Sequence, residues 1–411
     1  MKNITELEES SQAKTALWEL AREGARVMIQ TALLQEQREF LEHHGHLMTD
    51  SGRKRFVKNG FLPERNVKMA AGSIPLKAPR VRDRKGDGDD GIVFSSKILP
   101  KFLRKTKELD ELIPFLYLKG ISTNDFSDVL TAMLGSSVTL SPASVVRLKK
   151  VWQDEFKDWT DRDLSGKEYV YWWADGVYFN SRIDGEKNCI LVVIGATKSG
   201  NKEMLAIQSG FRESEISWRE LLLDLKNRGL SQGPKLAIGD GALGFWKALR
   251  KEFPGTREQR CWVHKTANIL DKMPKTVHCS AKKGIHEIYL SDSKENALRA
   301  FENFVSIFDA KYPKAVECLL KDKEETLAFY DFPAEHWAHI RSTNPIESTF
   351  ATVRLRTNKT KGSGTSAETM TMVFKMIQSA EKRWRKLRGF KHIPLVLEGR
   401  RFINGVLDDA A

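Results

Sequence analysis

A run of aromatic and β-branched residues surrounds one Asp-Gly pair in the stretch 167–183, KEYVYWWADGVYFNSRI. Such residues favour strands and Asp-Gly favours a tight turn, so the composition predicts two strands that meet in a hairpin. Asp175 directly follows the apolar half of the stretch. A carboxylate at the end of a buried strand is costly unless a metal ion or a basic group faces it. Whether Asp175 is a turn residue or a ligand therefore depends on other acids in the chain.

Strand and helix patterns alternate after this stretch. An apolar run at Asn188–Thr197 is typical of a buried central strand, and shorter strand patterns follow at Leu236–Gly241 and Gln259–Val263. Apolar residues at helical spacing predict helices at Glu215–Arg228 and Ala242–Phe253. Together with the two strands of the hairpin, this order predicts an α/β core with a mixed five-stranded sheet of ribonuclease-H type.

The positive charge is concentrated in two segments. The chain has a formal net charge of +13, with 16 Lys/Arg and 7 Asp/Glu residues in 51–110 and 13 and 4 in 341–400. Two basic segments around an acidic middle indicate a nucleic-acid partner. Four cysteines in 411 residues give no disulfide framework, and no apolar run approaches the ~20 residues that span a membrane. The sequence thus predicts a cytoplasmic protein without a membrane partner.

The chain before the core carries helix and DNA-binding patterns. Ser141 and Pro142 begin a helix with Arg147, Lys149 and Lys150, and the turns before it complete a helix-turn-helix outline. The predicted domains are an N-terminal helical segment that mediates dimerisation (1–50), a basic DNA-binding arm (51–100), a helix-turn-helix-like domain (101–165), the first part of the core (166–272), an all-helical insertion (273–336) and the last part of the core with basic C-terminal helices (337–411).

Two further acids lie where the carboxyl edge of the predicted sheet would place them beside Asp175. Asp240 ends a buried strand, and Glu347 follows Asn344 and Pro345 in the first turn of a predicted helix. Three convergent carboxylates repel one another, and hard oxygen ligands favour Mg²⁺ or Mn²⁺. Two such ions can catalyse phosphodiester cleavage, so the pattern predicts a metal site with two ions and makes Asp175 a ligand.

Four segments resemble the Mutator-type transposases of bacterial insertion sequences, a DDE group with a ribonuclease-H-like core. They are ADGVYF at 174–179, IGDGALGFWKAL at 238–249, FPGTREQRCWVHKTANIL at 253–270 and STNPIESTFATVRLRTNKTKG at 342–362. The resemblance covers about residues 50–405. It implies a catalytic triad at Asp175, Asp240 and Glu347, and it places the family's Cys-x-x-His element on Cys261 and His264.

The role of the Cys-x-x-His pair stays open at this point. Cys261 and His264 could be two ligands of a zinc site, which usually has four, with His278 and Cys279 as further candidates. Structural support of the active site, or a contact of His264 with the scissile phosphate, is the preferred interpretation. Basic residues expected to contact DNA are Arg53, Lys54, Arg55, Arg147, Lys149, Lys150, Arg354, Arg356, Lys359 and Lys361.

The resemblance implies a dimeric DNA transposase. It would bind the terminal inverted repeats of its own insertion sequence, cut a DNA strand there and transfer the freed 3′-hydroxyl to another phosphodiester, in the element or in target DNA. Two alternatives use parts of the same pattern. A DNA-binding regulator derived from a transposase would need the basic segments without the acids, and a structure-selective nuclease would need the acids without the separate DNA-binding region.

Overall fold

The computed structural model describes residues 4–69, 72–85, 92–103, 142–180, 187–210, 212–241, 243–359 and 365–408, together with the single positions 106, 114, 116, 118, 121 and 129. The chain divides into two compact units, residues 1–148 and 149–411. This division does not test the six predicted domain boundaries, which stay predictions.

The first unit combines a long helix with two small antiparallel sheets. Helix α1 spans Ile4–His43. Strand β1 (Phe56–Phe61) pairs with β4 (Pro79–Asp83), and β2 (Arg65–Met69) pairs with β3 (Gly72–Leu76). One core joins the helix to the strands, and its buried members are Leu33, Val67, Ile74, Leu76, Ala78 and Leu99. The basic segment is therefore folded into short strands.

Helix α2 spans Pro142–Thr160 and begins at the proline that the sequence predicts for its first position. The two helices predicted before it lie almost wholly outside the described residues. The helix-turn-helix outline thus stays a prediction.

The second unit contains a mixed five-stranded sheet in the order β7-β6-β5-β8-β9. Its strands are β5 (Tyr169–Asn180), β6 (Lys187–Thr197), β7 (Lys202–Gly210), β8 (Leu236–Gly239) and β9 (Arg257–Arg260). Strands β5, β6 and β7 are antiparallel neighbours, whereas β8 runs parallel to β5 and β9 parallel to β8. The unit is thus an α/β core with the mixed sheet that the sequence predicts.

The predicted hairpin at Asp175 is wrong. Strand β5 continues through the Asp-Gly pair, with Asp175 opposite Val192 and Gly176 opposite Leu191 of β6. The fifth strand is instead β7, which the sequence prediction omitted. The Asp-Gly pair does not turn the chain because the antiparallel ladder to β6 extends across it.

Helices cover both faces of the sheet. Trp172 and Ala174 share a buried cluster with residues of helices α3 (Glu215–Asn227) and α4 (Leu243–Glu252), whereas Tyr171 on the opposite face contacts Phe332 and His336. Because side chains alternate along a strand, Asp175 lies on the face of Tyr171. The second unit's remaining helices are α3 (Glu215–Asn227), α4 (Leu243–Glu252), α5 (Trp262–Leu270), α6 (His278–Tyr289), α7 (Lys294–Phe308), α8 (Pro313–Leu320), α9 (Lys323–Leu327), α10 (Trp337–Ile340), α11 (Asn344–Lys359), α12 (Ser366–Glu381) and α13 (Ile393–Leu397), followed by a short hairpin of β10 (Phe402–Ile403) and β11 (Val406–Leu407).

A buried hydrogen-bond chain fixes the segment that leads into α11. The neutral His336 ring accepts from the Tyr171 hydroxyl at Nδ1 (2.7 Å) and donates from Nε2 to the Gly389 carbonyl (2.9 Å). The Trp173 indole donates to the His339 carbonyl (2.9 Å). Since these donors lie on β5, they hold the start of α11 in a fixed position beside the strand that carries Asp175.

In the part of the chain that the structure describes, none of the helices combines the length and apolar character needed to cross a membrane.

Candidate active site

Asp175 and Asp240 lie next to each other on the neighbouring strands β5 and β8, where the parallel pairing of these strands ends. The parallel pairing of β5 with β8 ends at Ala174 and Gly239, so each acid directly follows a residue of the last pair, Asp175 within β5 and Asp240 just after β8. Asp175 is 8% exposed. The pKa of Asp175 is raised to about 7, chiefly by burial and also by the charges of Asp240 and Glu347, against the opposing effect of His264. Because the charges of Asp240 and Glu347 act on the Asp175 carboxyl group, the three acids lie near one another.

Glu213 is a fourth acid in this cluster, and the sequence analysis missed it. Its side chain lies over Gly176, in the space that a Cβ atom would occupy there. Burial raises the pKa of Glu213 to about 7, with Asp240 and Asp175 acting in the same direction. The one sequence signal is Gly176 itself, because a glycine inside a strand often marks the close approach of another group.

Glu347 reaches the cluster from the first turn of α11. The buried Thr343 precedes that helix, and its hydroxyl lies 3.0 Å from Glu347 Oε1, to which it can donate. The same oxygen lies 3.8 Å from His264 Nδ1. Glu347 therefore has two neighbours that restrict its rotamer.

Cys261 and His264 face Thr343 because they lie three residues apart at the start of α5. The Thr343 amide donates to Cys261 Sγ (3.3 Å), and the Thr343 hydroxyl lies 3.4 Å from His264 Nδ1. A hydrogen bond with Cys261 is the main cause that raises the pKa of His264 to about 9. Burial alone would raise the pKa of the Cys261 thiol, but hydrogen bonds from His264 and Thr343 lower it. At neutral pH His264 is therefore an imidazolium beside the Cys261 sulfur.

Among the described residues, one group of potential metal ligands has its donor atoms within 4.8 Å of one another: Cys261, His264 and Glu347. The two further zinc candidates lie apart from it. His278 Nε2 hydrogen-bonds the Met273 carbonyl oxygen (3.0 Å), and Cys279 is exposed. The described part of the chain therefore offers three donors here rather than a four-ligand zinc site.

The basic residues expected to contact DNA differ in their surroundings. Arg55 is 4% exposed and is paired with Asp83 (2.6 Å), so its guanidinium stabilises the first unit. Lys149 is paired with Glu368 (3.1 Å). Five of these residues have exposed side chains: Arg53, Lys54, Arg147, Lys150 and Arg354. The side chains of Arg356 and Lys359, and the whole of Lys361, are not among the parts of the chain that the structure describes.

Comparison with known proteins places the chain in a family. The family model described as "Transposase, Mutator family" matches residues 1–386. The chain belongs to the Mutator family of transposases. The family resemblance inferred from the sequence is thus confirmed, and membership implies that this transposase cleaves and transfers DNA.

Relatives of this transposase are transposases of insertion sequences from several bacteria. The transposase for insertion sequence element IS6120 of Mycolicibacterium smegmatis is 50% identical over 299 residues, covering 73% of this chain and 92% of that protein. The transposase for insertion sequence element IST2 of Acidithiobacillus ferrooxidans is 46% identical over 287 residues, covering 68% of this chain and 95% of that protein. That for IS256 in transposon Tn4001 of Staphylococcus aureus is 31% identical over 336 residues, covering 79% and 80%.

Proposed function

We propose that Asp175, Asp240 and Glu347 are the catalytic triad of a DDE transposase with a ribonuclease-H-like core. The observation that carries this proposal is the electrostatic coupling of three acids from β5, the end of β8 and α11: the charges of Asp240 and Glu347 raise the pKa of the buried Asp175. His264 supplies part of the opposing charge, and a bound cation would relieve the repulsion that remains.

The donor set fits Mg²⁺ or Mn²⁺. Carboxylate oxygens are the ligands that these hard cations prefer, and three acids suffice to hold a pair of ions that keep most of their water. When bound, such ions activate an attacking hydroxyl and stabilise the leaving oxygen of a phosphodiester. Cys261 and His264 act on this centre through Thr343 and Glu347, as positioning residues rather than as a zinc site.

The chain's own residues then perform three tasks. The acids would hold the cations at the scissile phosphate. The imidazolium of His264 offsets part of the acids' charge, and the exposed Arg354 lies on the helix of Glu347, where it can bind the DNA backbone. In the first step water cleaves the phosphodiester and leaves a 3′-hydroxyl; in the second that hydroxyl attacks another phosphodiester and displaces its 3′-oxygen. The bonds exchanged are equivalent, so no nucleotide hydrolysis is needed.

We assign recognition of the terminal inverted repeats to the chain before residue 166. Exposed Arg53, Lys54, Arg147 and Lys150 support this assignment because basic side chains at a surface neutralise DNA phosphates. The predicted helix-turn-helix would supply base contacts in the major groove. The six predicted domains remain part of this proposal.

One assay tests the proposed function against its two alternatives. The protein is incubated with Mg²⁺ and a labelled duplex that carries an end of its insertion sequence. We expect strand cleavage at the end and joined products. Binding without cleavage would instead identify a regulator, and cleavage of branched DNA irrespective of the end sequence would identify a structure-selective nuclease.

Thr343→Val should lower Mg²⁺ affinity and cleavage by about 10–100-fold, the usual effect of losing a group that orients a metal ligand. Valine keeps the volume but removes the donor to Glu347 Oε1. Thr343→Ser keeps the hydroxyl and is the matched control. Isothermal titration with Mg²⁺ and the end-cleavage assay measure both effects. Equal values for the two variants would show that the hydroxyl does not position Glu347.

Helix α1 supports the proposed dimer. Leu20, Val27 and Leu34 are spaced by seven residues and are 70%, 51% and 38% exposed, as in the seam of a coiled coil before its partner binds. A second copy of the chain would cover this stripe. Replacing all three by Ser should convert a dimer to a monomer in light-scattering chromatography. Serines at the exposed Glu19, Glu23 and Gln35 of the same helix form the control, and dimers of equal stability in both variants would refute the seam.

A further inference from the structure

A charged cavity of about 570 Å³ lies beside the proposed catalytic acids and has no part in the triad. It is called the Arg260 cavity here, after the residue at its inner end. Helices α4, α5 and α8 form its walls, and Gly241, the neighbour of Asp240, lies at its margin. Its charged lining residues are Lys247, Arg250, Glu258, Arg260, Lys265, Asp271, Lys272, Lys314, Glu317, Lys321, Asp322 and Glu325.

Arg260 is the unusual member of this lining. It ends β9 opposite Gly239, is 7% exposed, and its guanidinium lies against Gly241, in the space that a Cβ atom would occupy there. Nε and Nη1 have no hydrogen-bond partner among the described residues, although Nε lies 3.4 Å from Asp322 Oδ2. Donors of a buried guanidinium that are left unpaired are costly, so the site suits a ligand with anionic oxygens.

The other basic side chains of the cavity also favour an anionic ligand. Seven basic and five acidic residues line the cavity. Glu258 is already paired with Arg250 (2.6 Å), and Asp322 with Lys265 (3.0 Å). Lys247, Lys272, Lys314 and Lys321 are exposed and have no ion-pair partner in the described part of the chain. Four lysines and one arginine can therefore converge on an added anion, outnumbering the remaining acids Asp271, Glu317 and Glu325.

The position of the cavity identifies the anion. Arg260 contacts Gly241, and Gly241 adjoins Asp240, so a strand whose scissile phosphate lies at the acids has its neighbouring phosphates near the cavity mouth. We propose that the Arg260 cavity binds a backbone phosphate of the DNA strand close to the one that is cut. This inference rests on the proposed function, and it gives the helices after β9 a role in holding the DNA.

The test compares two double variants that lose the same charge. Lys314→Ala/Lys321→Ala removes two exposed cavity lysines, whereas Lys282→Ala/Lys283→Ala removes two exposed lysines of α6 outside the cavity. Binding to a transposon-end duplex is measured by fluorescence anisotropy over a range of salt concentrations. For the cavity variant, the slope of the logarithm of the binding constant against the logarithm of the salt concentration should be smaller in magnitude by about 1, which is the contribution of one phosphate contact. The α6 variant should keep the wild-type slope.

A second measurement locates the phosphate. A set of duplexes is made in which one phosphate near the cut is replaced by a neutral methylphosphonate, at a different position in each. At one position the replacement should weaken binding by the wild type and by the α6 variant. The cavity variant should bind that duplex as well as it binds the unmodified one. Equal slopes for the two variants, or the absence of such a position, overturn the cavity assignment. Failure of the wild type to cleave the same end duplex with Mg²⁺ overturns the proposed function instead, so the two failures are distinct.

Discussion

Asp240→Asn should abolish strand cleavage and strand transfer at the transposon end, with a loss of about 10³-fold or more. An amide is a poor ligand for a divalent cation, and the stabilisation that metal ions provide in phosphodiester cleavage amounts to several kcal/mol, with each ~1.4 kcal/mol worth a factor of ten. DNA binding should change little, because the substitution removes a negative charge and leaves the basic surface intact. Gel assays of cleavage, joining and binding on one labelled duplex measure all three quantities.

Asp309→Asn is the matched control for this prediction. Asp309 is exposed at the end of α7, so the control loses the same charge and gains the same amide outside the acid cluster. We expect wild-type cleavage from it. An Asp240→Asn protein that still cuts and joins ends at more than about a tenth of the wild-type rate would exclude Asp240 from the catalytic centre.

Asp175→Asn should stabilise the protein in metal-free buffer at pH 8. The pKa of Asp175 is about 7 in the folded protein against an ordinary value of 3.8, so between these values the folded state keeps a proton that the unfolded chain has lost. The free energy of unfolding therefore falls as the pH rises through this window, and the cost is complete above pH 7. A shift of this size corresponds to at most about 4 kcal/mol, which the neutral amide avoids.

Urea denaturation with a chelator present, at pH 5 and at pH 8, measures this effect. From pH 5 to pH 8 the free energy of unfolding should fall more for the wild type than for Asp175→Asn. Asp309→Asn should behave as the wild type. His264 has a pKa raised from 6.5 to about 9, so the stability that it contributes is lost as the pH rises between these values, in the wild type and in both variants. Added Mg²⁺ should restore the wild type at pH 8 but not the variant. Parallel pH profiles for wild type and variant would contradict the buried position of the Asp175 carboxylate.

Residue patterns alone predicted much of the core, because buried strands and amphipathic helices differ in period. The strand before Asp240 and the helix that begins at Asn344 occur as expected. Composition misled at Asp175, since the turn preference of Asp-Gly is weaker than an eleven-pair ladder between β5 and β6. Strand β7 escaped prediction because polar residues flank its short apolar centre, Met204–Ile207. Glu213 could not be predicted, because only the folded sheet brings it over Gly176.

The uninterrupted strand β5 ties the acid centre to the stability of the whole second unit. Asp175 is held within the ladder to β6 rather than on a loop, so no local opening can release it without breaking central pairing of the sheet. Amide hydrogens around Asp175 should then exchange with solvent only when the unit unfolds globally. Core substitutions that weaken the sheet would accordingly reduce the fraction of active molecules, while each folded molecule keeps its full catalytic rate.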